Sequence, residues 1–518
     1  MQRNPSRRVF LSVAAAGAGG LLLPGAATAS TRTSRALAGD PFTLGVASGD
    51  PAADGFVLWT RLALDPLGGN GRGGMPARDI EVDWQVATDE RFSDVVRRGT
   101  ETARWKDAHS VHVELKGLDP GREYFYRFRA EGHLSPEGRT RTAPDTMAPL
   151  TFAIAACAHY EHGYYTAYRR LAEQEPDLIV HLGDYMYEYA PDGYTSLAGA
   201  VRRHTPGKCE TLADYRLRHA QYKSDPDLQL AHATAPWLVS FDDHEIENNW
   251  AGDISSTGAP AFARRKANAF RAYYENMPLR RASVPRGAAI RVHRRVEWGP
   301  LASFHLLDTR QFRDDQACED GLRAGCGERM SEDRTLLGAD QRSWLLDGLR
   351  ASRARWNLIG QQILMAQRDW KTGPGHEVNL DSWDGYSAER TRLLTGVRDS
   401  GAANPVVLTG DAHMHHAADL KLDFDDPDSP HVAVELVTSS IASDGDGYRD
   451  QTMVADMVAE NPHIAYIDQR RGYINCRLTA DELHADFRTL DYISRKGAPA
   501  KSSATFTVPN GHPALTSV

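Results

Sequence analysis

Short segments in which apolar and polar residues alternate fill the chain from residue 42 to residue 143. A period of two is typical of antiparallel strands that bury one face. Turn residues such as Asp119-Pro120-Gly121 separate these segments. The clearest alternating apolar positions are Ile80, Val82, Trp84 and Val86; Val111, Val113 and Leu115; and Tyr124, Tyr126 and Phe128. The pattern predicts an N-terminal β-sandwich domain over residues 41–146.

The pattern changes after a linker at residues 140–149 that is rich in Pro and Thr. Continuous apolar runs now alternate with helical stretches, among them residues 164–175 and a segment that starts near Leu336. Strands that are apolar on both faces indicate an α/β domain, which we place at residues 150–495. Residues 496–518 are rich in Pro, Ser and Thr, and we expect a C-terminal tail or lid there.

Polar side chains follow four of the buried runs at the point where each run ends. The runs are Phe152–Ala156, Leu178–Leu182, Trp237–Phe241 and Val406–Thr409. Ligands of open α/β sheets bind at the carboxyl ends of the strands, so we expect these side chains in one crevice. They include Cys157, Asp184, Tyr187, Asp243, His244, Asn249, Asp411 and His413.

The residue types at these strand ends indicate two unlike metal sites. Carboxylate and amide oxygens suit Ca²⁺, Mg²⁺ or Mn²⁺, whereas a thiolate, a phenolate and an imidazole together favour a transition metal. Two metals about 4 Å apart can hold a hydroxide and stabilise a phosphoryl group during its displacement. Asp184 is the expected bridge, because its strand lies in sequence between those with the soft and the hard ligands. A structural metal site is the alternative, but such sites are closed.

Composition excludes several classes of protein. Of the 518 residues, 41 % are hydrophobic and 25 % are charged, which is typical of globular proteins and not of disordered or multi-span membrane chains. The net charge of −9 argues against a nucleic-acid-binding domain, since phosphate neutralisation requires a basic surface.

The first 29 residues have the three parts of a secretory signal peptide: a basic start, an apolar run over residues 9–23 and small residues up to Ala29. Arg7 and Arg8 precede Val9-Phe10-Leu11 and resemble a twin-arginine signal, which directs folded proteins to the Tat export machinery. A membrane anchor is the alternative, but the apolar run is short and rich in Ala and Gly. We therefore expect a secreted protein without a transmembrane anchor in its mature form.

Five cysteines are too few for a disulfide-based scaffold. Cys318 and Cys326 enclose a Gly-containing loop and could form a local disulfide in an oxidising compartment. Cys209 and Cys476 are candidates for a second bridge, although the sequence does not determine their pairing. Cys157 is then left at its strand end.

The sequence resembles the alkaline phosphatase D family, the PhoD-like metallophosphatases related to purple acid phosphatases and to iron-containing secreted phospholipase D. The matching segments lie between about residues 42 and 475 and read FTLGVASGDP, FAIAACAHYEHGYYTAY, VHLGDYMYEY, SDPDLQLAHATAPWLVSFDDHEIENNWAGD, LLDTRQFRDDQ, WNLIGQQILMAQ, DSWDGYSAER and VVLTGDAHMHH. The wider metallophosphatase pattern pairs Gly-Asp-x-x-Tyr with Gly-Asn-His and Gly-His-x-His. Here the last two motifs become Asp242-Asp243-His244 and Gly410-Asp411-Ala412-His413. The resemblance implies a four-layer α/β/β/α sandwich, preceded by a fibronectin III-like β-sandwich domain.

The resemblance also implies the metals and their ligands. The expected ligands of one Fe³⁺ ion are Cys157, Asp184, Tyr187 and His413. One or two Ca²⁺ ions are expected on the oxygen side, where the ligands are Asp184 as the bridge, Asp243, Asn249 and Asp411. Asn249 is chosen over the adjacent Asn248 on the family match.

His244 is the candidate catalytic residue, because it follows an expected ligand and is placed to contact the phosphate or protonate the leaving oxygen. A core histidine is the alternative for this position. Arg310 follows a buried strand, where it could reach a phosphate or form a structural salt bridge.

The resulting hypothesis is an exported phosphoesterase that hydrolyses phosphate mono- or diesters by attack of a metal-bound hydroxide and serves phosphate scavenging. One alternative keeps this chemistry but acts on phospholipids, as a phospholipase D-type phosphodiesterase. A further alternative is a non-catalytic metal- or carbohydrate-binding protein of the cell wall, in which His244 would be dispensable.

Overall fold

The computed structural model describes residues 37–205 and 207–517, so the predicted signal peptide at residues 1–29 lies outside the described part. The strands in that part are β1 (Val46–Ala52), β2 (Gly55–Arg61), β3 (Ile80–Ala87), β4 (Val95–Ala103), β5 (Ser110–Glu114), β6 (Glu123–Ala130), β7 (His133–Leu134), β8 (Gly138–Arg141), β9 (Leu150–Ala155), β10 (Leu178–Leu182), β11 (Pro236–Ser240), β12 (Arg294–Trp298), β13 (Ala302–Leu306), β14 (Leu322–Ala324), β15 (Trp356–Gly360), β16 (Glu377–Asn379), β17 (Pro405–Thr409), β18 (His415–Lys421), β19 (His431–Val437), β20 (Ile464–Asp468), β21 (Arg471–Leu478), β22 (Glu482–Leu490), β23 (Ala500–Pro509) and β24 (Thr516–Ser517). The α-helices are α1 (Thr166–Ala172), α2 (Leu212–Lys223), α3 (Pro226–Thr234), α4 (Phe262–Asn276), α5 (Gly338–Ala351), α6 (Ser387–Ser400) and α7 (Gln451–Glu460).

Two large sheets organise the described residues. The first contains ten strands in the order β24-β23-β22-β21-β9-β10-β11-β1-β2-β5, and the second contains seven in the order β12-β13-β15-β17-β19-β18-β20. The centre of each sheet is parallel, with β9, β10, β11 and β1 in the first and β13, β15, β17 and β19 in the second. The four apolar runs predicted as buried strands correspond to β9, β10, β11 and β17, so this part of the sequence prediction is confirmed.

The two sheets pack face to face, and helices cover their outer faces. Between the sheets, the rings of Phe152 on β9 and Phe304 on β13 lie 5.7 Å apart. Helices α1 to α4 share an apolar cluster with the other face of the first sheet, around Trp237. Helices α5 and α6 pack in the same way on the second sheet, around Val407. The order helix, sheet, sheet, helix is the predicted four-layer sandwich. Within the described residues, no helix is both long and apolar enough to cross a membrane.

The N-terminal segment is composed of strands, as its alternating pattern predicts. Strands β3, β4, β6, β7 and β8 form a separate five-stranded sheet, whereas β1, β2 and β5 extend the first large sheet. The connection is made by β1, which pairs in parallel with β11 through Ser48 and Pro236. The predicted domains at residues 41–146 and 150–495 therefore share a sheet.

The C-terminal segment at residues 496–518 differs from the predicted tail or lid. Its strand β23 pairs along the length of β22, from Glu482 opposite Pro509 to Leu490 opposite Ala500. Phe506 and Val508 are buried in the core between the two sheets. Their alternation with threonines is a strand signal that the Ser- and Thr-rich composition concealed.

The cysteines follow one of the two suggested pairings. Cys318 and Cys326 form a disulfide, as their spacing predicts. Cys209 and Cys476 are both free and buried, so the suggested second bridge is wrong. The two thiols belong to different apolar clusters, Cys209 with the helices that cover the first sheet and Cys476 with the core between the sheets.

Candidate metal centre

The expected ligands meet at the carboxyl ends of strands from both large sheets. Cys157, Asp184 and Asp243 follow β9, β10 and β11, which are neighbours in the first sheet. Asp411 follows β17, the central strand of the second sheet. The crevice therefore lies at the ends of the two packed sheets. The loops that follow the parallel strands line it.

Backbone conformation marks the same positions. Five of the seven expected metal ligands have a positive φ: Cys157 (59°), Asp184 (53°), Asn249 (51°), Asp411 (54°) and His413 (52°). This left-handed region is unfavourable for residues that carry a Cβ atom. Such strained residues cluster at functional sites, where the surrounding structure holds them. The strained backbone therefore supports a functional role for these strand ends.

One oxygen of Asp184 lies among three softer donors. Its Oδ2 atom is 3.6 Å from Cys157 Sγ and accepts a hydrogen bond of 3.1 Å from the Tyr187 hydroxyl. The same hydroxyl is 3.1 Å from His413 Nε2. A thiol, a phenol, an imidazole and a carboxylate therefore surround one small volume, and this donor set fits a transition metal.

The other oxygen of Asp184 faces a different group of residues. Its Oδ1 atom accepts a hydrogen bond of 3.3 Å from the backbone N–H of His244. Next to it, Asp243 Oδ2 accepts a hydrogen bond of 2.7 Å from the backbone N–H of Asn249. Asp243 Oδ1 is buried, lies 3.8 Å from Arg310 Nη2 and has no hydrogen-bond partner among the described residues. Because a buried carboxylate oxygen without a hydrogen bond is costly, this side fits a cation with hard oxygen ligands.

Burial raises the pKa values of three acidic groups of the site, whereas that of Asp243 is lowered. Burial, reinforced by the charges of Asp184 and Asp411, raises the pKa of the Cys157 thiol well above its usual range. Burial also raises the pKa values of Asp184 and Asp411 well above their usual range. Burial would raise the pKa of Asp243 too, but His244 and Arg310 hold it below its usual value. Bound cations would keep these ligands ionised.

His244 lies in a polar pocket and not in an apolar core. Its Nδ1 atom is 3.0 Å from Glu188 Oε2, and its ring stacks on that of Tyr187 with centroids 4.1 Å apart. Burial opposes protonation, but Asp243, Asp184 and Glu188 together raise the pKa of His244 well above its usual value. The Nε2 atom, 4.0 Å from Asp243 Oδ2, is the nitrogen that remains for a substrate.

Four further residues hold these groups and were not predicted from the sequence. Asp444 Oδ2 is 2.7 Å from His413 Nδ1, and the hydroxyl of Ser443 donates a 2.7 Å hydrogen bond to the Tyr187 hydroxyl. Glu188 binds His244 as described above. The carboxylate of Glu245 accepts hydrogen bonds from the backbone N–H groups of Asp184, Tyr185 and Asp242. Glu188 adjoins Tyr187 in sequence, whereas no local signal pointed to Asp444.

Arg310 forms a structural salt bridge, which was one of its two predicted roles. The side chain is fully buried. Its Nε atom donates a 2.6 Å hydrogen bond to Asp242, and its two terminal nitrogens each donate a 2.8 Å hydrogen bond to Asp381. The guanidinium group therefore binds two buried carboxylates, and its Nη2 atom also lies 3.8 Å from Asp243 Oδ1.

Comparison with known proteins agrees with this geometry. A family model described as PhoD-like phosphatase matches residues 152–487, and one described as PhoD-like phosphatase, N-terminal domain, matches residues 26–144. The chain is 47 % identical over 471 residues to alkaline phosphatase D of Bacillus subtilis (strain 168), a match that covers 90 % of this chain and 80 % of the relative.

Solved structures give the same result. The structure of PhoD superposes with a TM-score of 0.90 at 46 % identity and 93 % coverage of both chains. A purple acid phosphatase, PPD1 from yellow lupin (Lupinus luteus) seeds, shares the fold with a TM-score of 0.53 at 12 % identity, covering 90 % of this chain and 73 % of that one. The chain therefore belongs to the PhoD-like phosphatase family and is a metal-dependent phosphoesterase.

Proposed function

We propose that this phosphoesterase is exported and acts on phosphate mono- or diesters with a mixed pair of metals, Fe³⁺ and Ca²⁺. The observation that carries the proposal is the position of Asp184, whose two oxygens face different donor sets. The proposed ligands of Fe³⁺ are Cys157, Asp184, Tyr187 and His413. The proposed ligands of Ca²⁺ are Asp184, Asp243, Asn249 and Asp411.

The donor chemistry supports this division. A thiolate, a phenolate and an imidazole together favour iron over an alkaline-earth ion. Carboxylate and amide oxygens favour Ca²⁺. Asp444 supports the iron side, because it fixes His413 through Nδ1 and leaves Nε2 as the ligand atom. The two ions, when bound, would supply positive charge for the phosphoryl oxygens and lower the pKa of an attacking water.

The protein's own residues orient the phosphate and handle the leaving group. Glu188 and the ring of Tyr187 fix His244, so its Nε2 atom points away from the Glu188 carboxylate. A protonated Nε2 would donate a hydrogen bond to a phosphoryl oxygen and a proton to the leaving oxygen. We assign Arg310 a structural role instead, because it binds Asp242 and both oxygens of Asp381.

The test is a visible absorption spectrum of the mature, metal-loaded protein beside the Tyr187→Phe variant. Phenolate bound to Fe³⁺ gives a broad visible band, so we expect the band in the wild type and its loss in the variant. A colourless, active and fully metal-loaded wild-type protein would overturn the iron assignment. Release of phosphate from a monoester and a diester, and of choline from phosphatidylcholine, compared on the same preparation, would identify the substrate class.

The Cys157→Ala variant tests the same assignment through metal content. We expect loss of iron and of phosphoesterase activity while the circular dichroism spectrum stays that of the wild type, because the thiol is a ligand and its removal leaves only a small cavity. A Cys209→Ala variant, which removes another buried thiol outside the site, is the matched control. Wild-type iron content and turnover in Cys157→Ala would contradict the ligand set.

The proposed export rests on residues 1–29 alone. Lysine in place of both Arg7 and Arg8 keeps the charge but removes the paired guanidinium groups that characterise a twin-arginine signal. We expect the phosphoesterase activity to stay inside the cells in this variant, whereas the wild type delivers it to the medium. Unchanged export of the double variant would exclude the twin-arginine route.

A further inference from the structure

The loop closed by the Cys318–Cys326 disulfide lies against the proposed calcium side of the site. Its strand β14 pairs with β16, with Arg323 opposite Val378. The backbone N–H of Leu380 donates a 3.0 Å hydrogen bond to the carbonyl of Gly321 in the same loop. The loop is thus attached to the segment that carries Asp381, the carboxylate partner of Arg310.

Asp320 in this loop and Gln316 just before the loop both hold Asn249. The Oδ2 atom of Asp320 accepts a 2.6 Å hydrogen bond from Asn249 Nδ2, and the side-chain amide of Gln316 donates a 2.9 Å hydrogen bond to the Asn249 carbonyl. A carboxylate can only accept, so the Asn249 atom that faces Asp320 must be its NH₂ group. The carbonyl oxygen Oδ1 of Asn249 is therefore turned away from Asp320, and the Asn249 backbone N–H binds Asp243.

The loop needs support to keep Asp320 in this position. Cys318, Glu319 and Asp320 are three consecutive residues with positive φ, at 48°, 64° and 65°. Such a backbone is unfavourable for side-chain-bearing residues and persists only where the surroundings fix it. Here the disulfide closes the loop, and Cys326 is buried with Ala317, Val378 and Leu380 in a small apolar cluster.

We propose that Asp320 is a positioning residue that orients the Asn249 amide for the divalent cation, and that the Cys318–Cys326 disulfide holds Asp320 there. Cation affinity would then depend on the redox state of the bridge. The inference rests on the proposed role of Asn249 as a ligand. An added dithiol would reduce the bridge by thiol–disulfide exchange: two electrons and two protons pass to Cys318 and Cys326, and the reagent becomes the disulfide.

The test measures binding of Ca²⁺ alone to the iron-loaded protein by equilibrium dialysis, with iron content measured in parallel. Residues that orient a metal ligand typically change affinity tenfold or more when removed, so Asp320→Ala should raise the Kd for Ca²⁺ about tenfold. Asp320→Asn retains an acceptor oxygen for the Asn249 amide and should stay within about threefold of the wild type. Glu319→Ala removes a charge from an exposed position of the same loop and is the matched control.

The bridge is tested by two independent routes. The Cys318→Ser/Cys326→Ser double variant and the dithiol-treated wild type should each show the same roughly tenfold weaker binding of Ca²⁺ as Asp320→Ala. The dithiol should have no further effect on the double variant. An equal effect of the dithiol on both proteins would show that it acts elsewhere, for example on the iron, and would overturn the role of the bridge.

Asn249→Ala separates failure of this inference from failure of the proposed function. Unchanged Ca²⁺ binding in Asn249→Ala would remove Asn249 from the ligand set. Weaker binding in Asn249→Ala with wild-type binding in Asp320→Ala would overturn only the positioning role. Asp320→Asn as weak as Asp320→Ala would show that the charge of Asp320 matters and not its acceptor, and would overturn the orientation argument.

Discussion

Glu188 and Tyr187 hold the imidazole of His244 from two directions, one by a hydrogen bond to Nδ1 and the other by ring stacking. Residues that hold a catalytic group in this way fix its tautomer as well as its direction. Asp444 has the same relation to His413 as Glu188 has to His244. Each of the two histidines of the proposed site is therefore paired with its own carboxylate.

The His244→Ala variant is expected to keep both metals and to lose turnover. General acid catalysis contributes about 10²- to 10⁴-fold, so kcat should fall by about that factor while the iron content stays that of the wild type. Glu188→Gln, which retains an acceptor for Nδ1, should lower kcat less. Steady-state kinetics with a phosphate ester and metal analysis on the same samples check this. An unchanged kcat in His244→Ala would make it a structural histidine.

For individual residues, the sequence predicts those that we expect to contact metal or substrate. It does not predict the residues that position them. Cys157, Asp184 and Asp411 each follow a continuous apolar run. In an open α/β sheet, ligands bind at the carboxyl ends of such strands. Asp444 and Asp320 lie in loops far along the chain from the groups they bind, so no local pattern connects them. Only the folded backbone brings such pairs together.

Among the elements, the segments after β11, β13 and β16 are joined by one buried group of charges. Arg310 binds Asp242 and both oxygens of Asp381, and Arg313 lies 3.1 Å from Asp381. Burial would raise the pKa of Asp381, but the two arginines hold it far below its usual range. This cluster joins the end of the first sheet to the end of the second.

Asp381→Asn is expected to destabilise the fold, because it leaves Arg310 and Arg313 buried with less opposing charge. Breaking one partner of a buried ion pair costs about 3–5 kcal/mol. Since the folded pKa of Asp381 is depressed, its contribution is present above the unfolded pKa of about 3.9 and is lost only as the pH falls through the folded value. Urea unfolding of both proteins should therefore differ by the same amount at pH 6 and pH 8. Asp399→Asn, an exposed acid paired with Arg398, is the control.

The C-terminal strand allows a direct comparison of the lid and the sheet interpretations. Removal of residues 500–518 uncovers the edge of β22 and the apolar surface under Phe506 and Val508. Because an uncovered edge favours aggregation, we expect a lower melting temperature and a lower soluble yield, with no gain in kcat/KM. A lid would give the opposite result, namely a raised kcat/KM at an unchanged melting temperature.

The elements themselves were largely predictable, since β10 coincides with its apolar run at Leu178–Leu182 and the helix predicted from Leu336 is α5. Strand β23 was not predicted, because its weak alternation stands among Ser, Thr and Pro residues. The sharing of a sheet by β1 and β11 was also beyond the sequence. Pairing between strands almost 190 residues apart produces no local sequence pattern from which it could be predicted.

For the molecule as a whole, metal removal should couple stability to pH. Without cations, burial raises the pKa of Asp184 well above its usual value, and desolvation does the same for Asp411. A carboxyl group whose pKa is raised on folding stabilises the fold while it is protonated, and this contribution is lost as the pH rises through the folded value.

The chelated protein should therefore melt at a lower temperature at pH 8 than at pH 6, and this difference should exceed any change in the metal-loaded protein. Scanning calorimetry of both forms at both pH values measures this difference. The metal-loaded protein provides the control for histidines and surface charges, which titrate in both forms. An equal pH dependence of the two forms would show that these carboxylates do not need the cations.

The ten-stranded sheet also has a consequence for the order in which the molecule can be assembled. Strand β9, which leads to Cys157, lies between β10 and β21, and β21 begins only at Arg471. The strand is thus flanked on both sides only after most of the polypeptide has left the ribosome. Formation of the first sheet around Cys157 therefore depends on strands that are among the last parts of the chain to be synthesised.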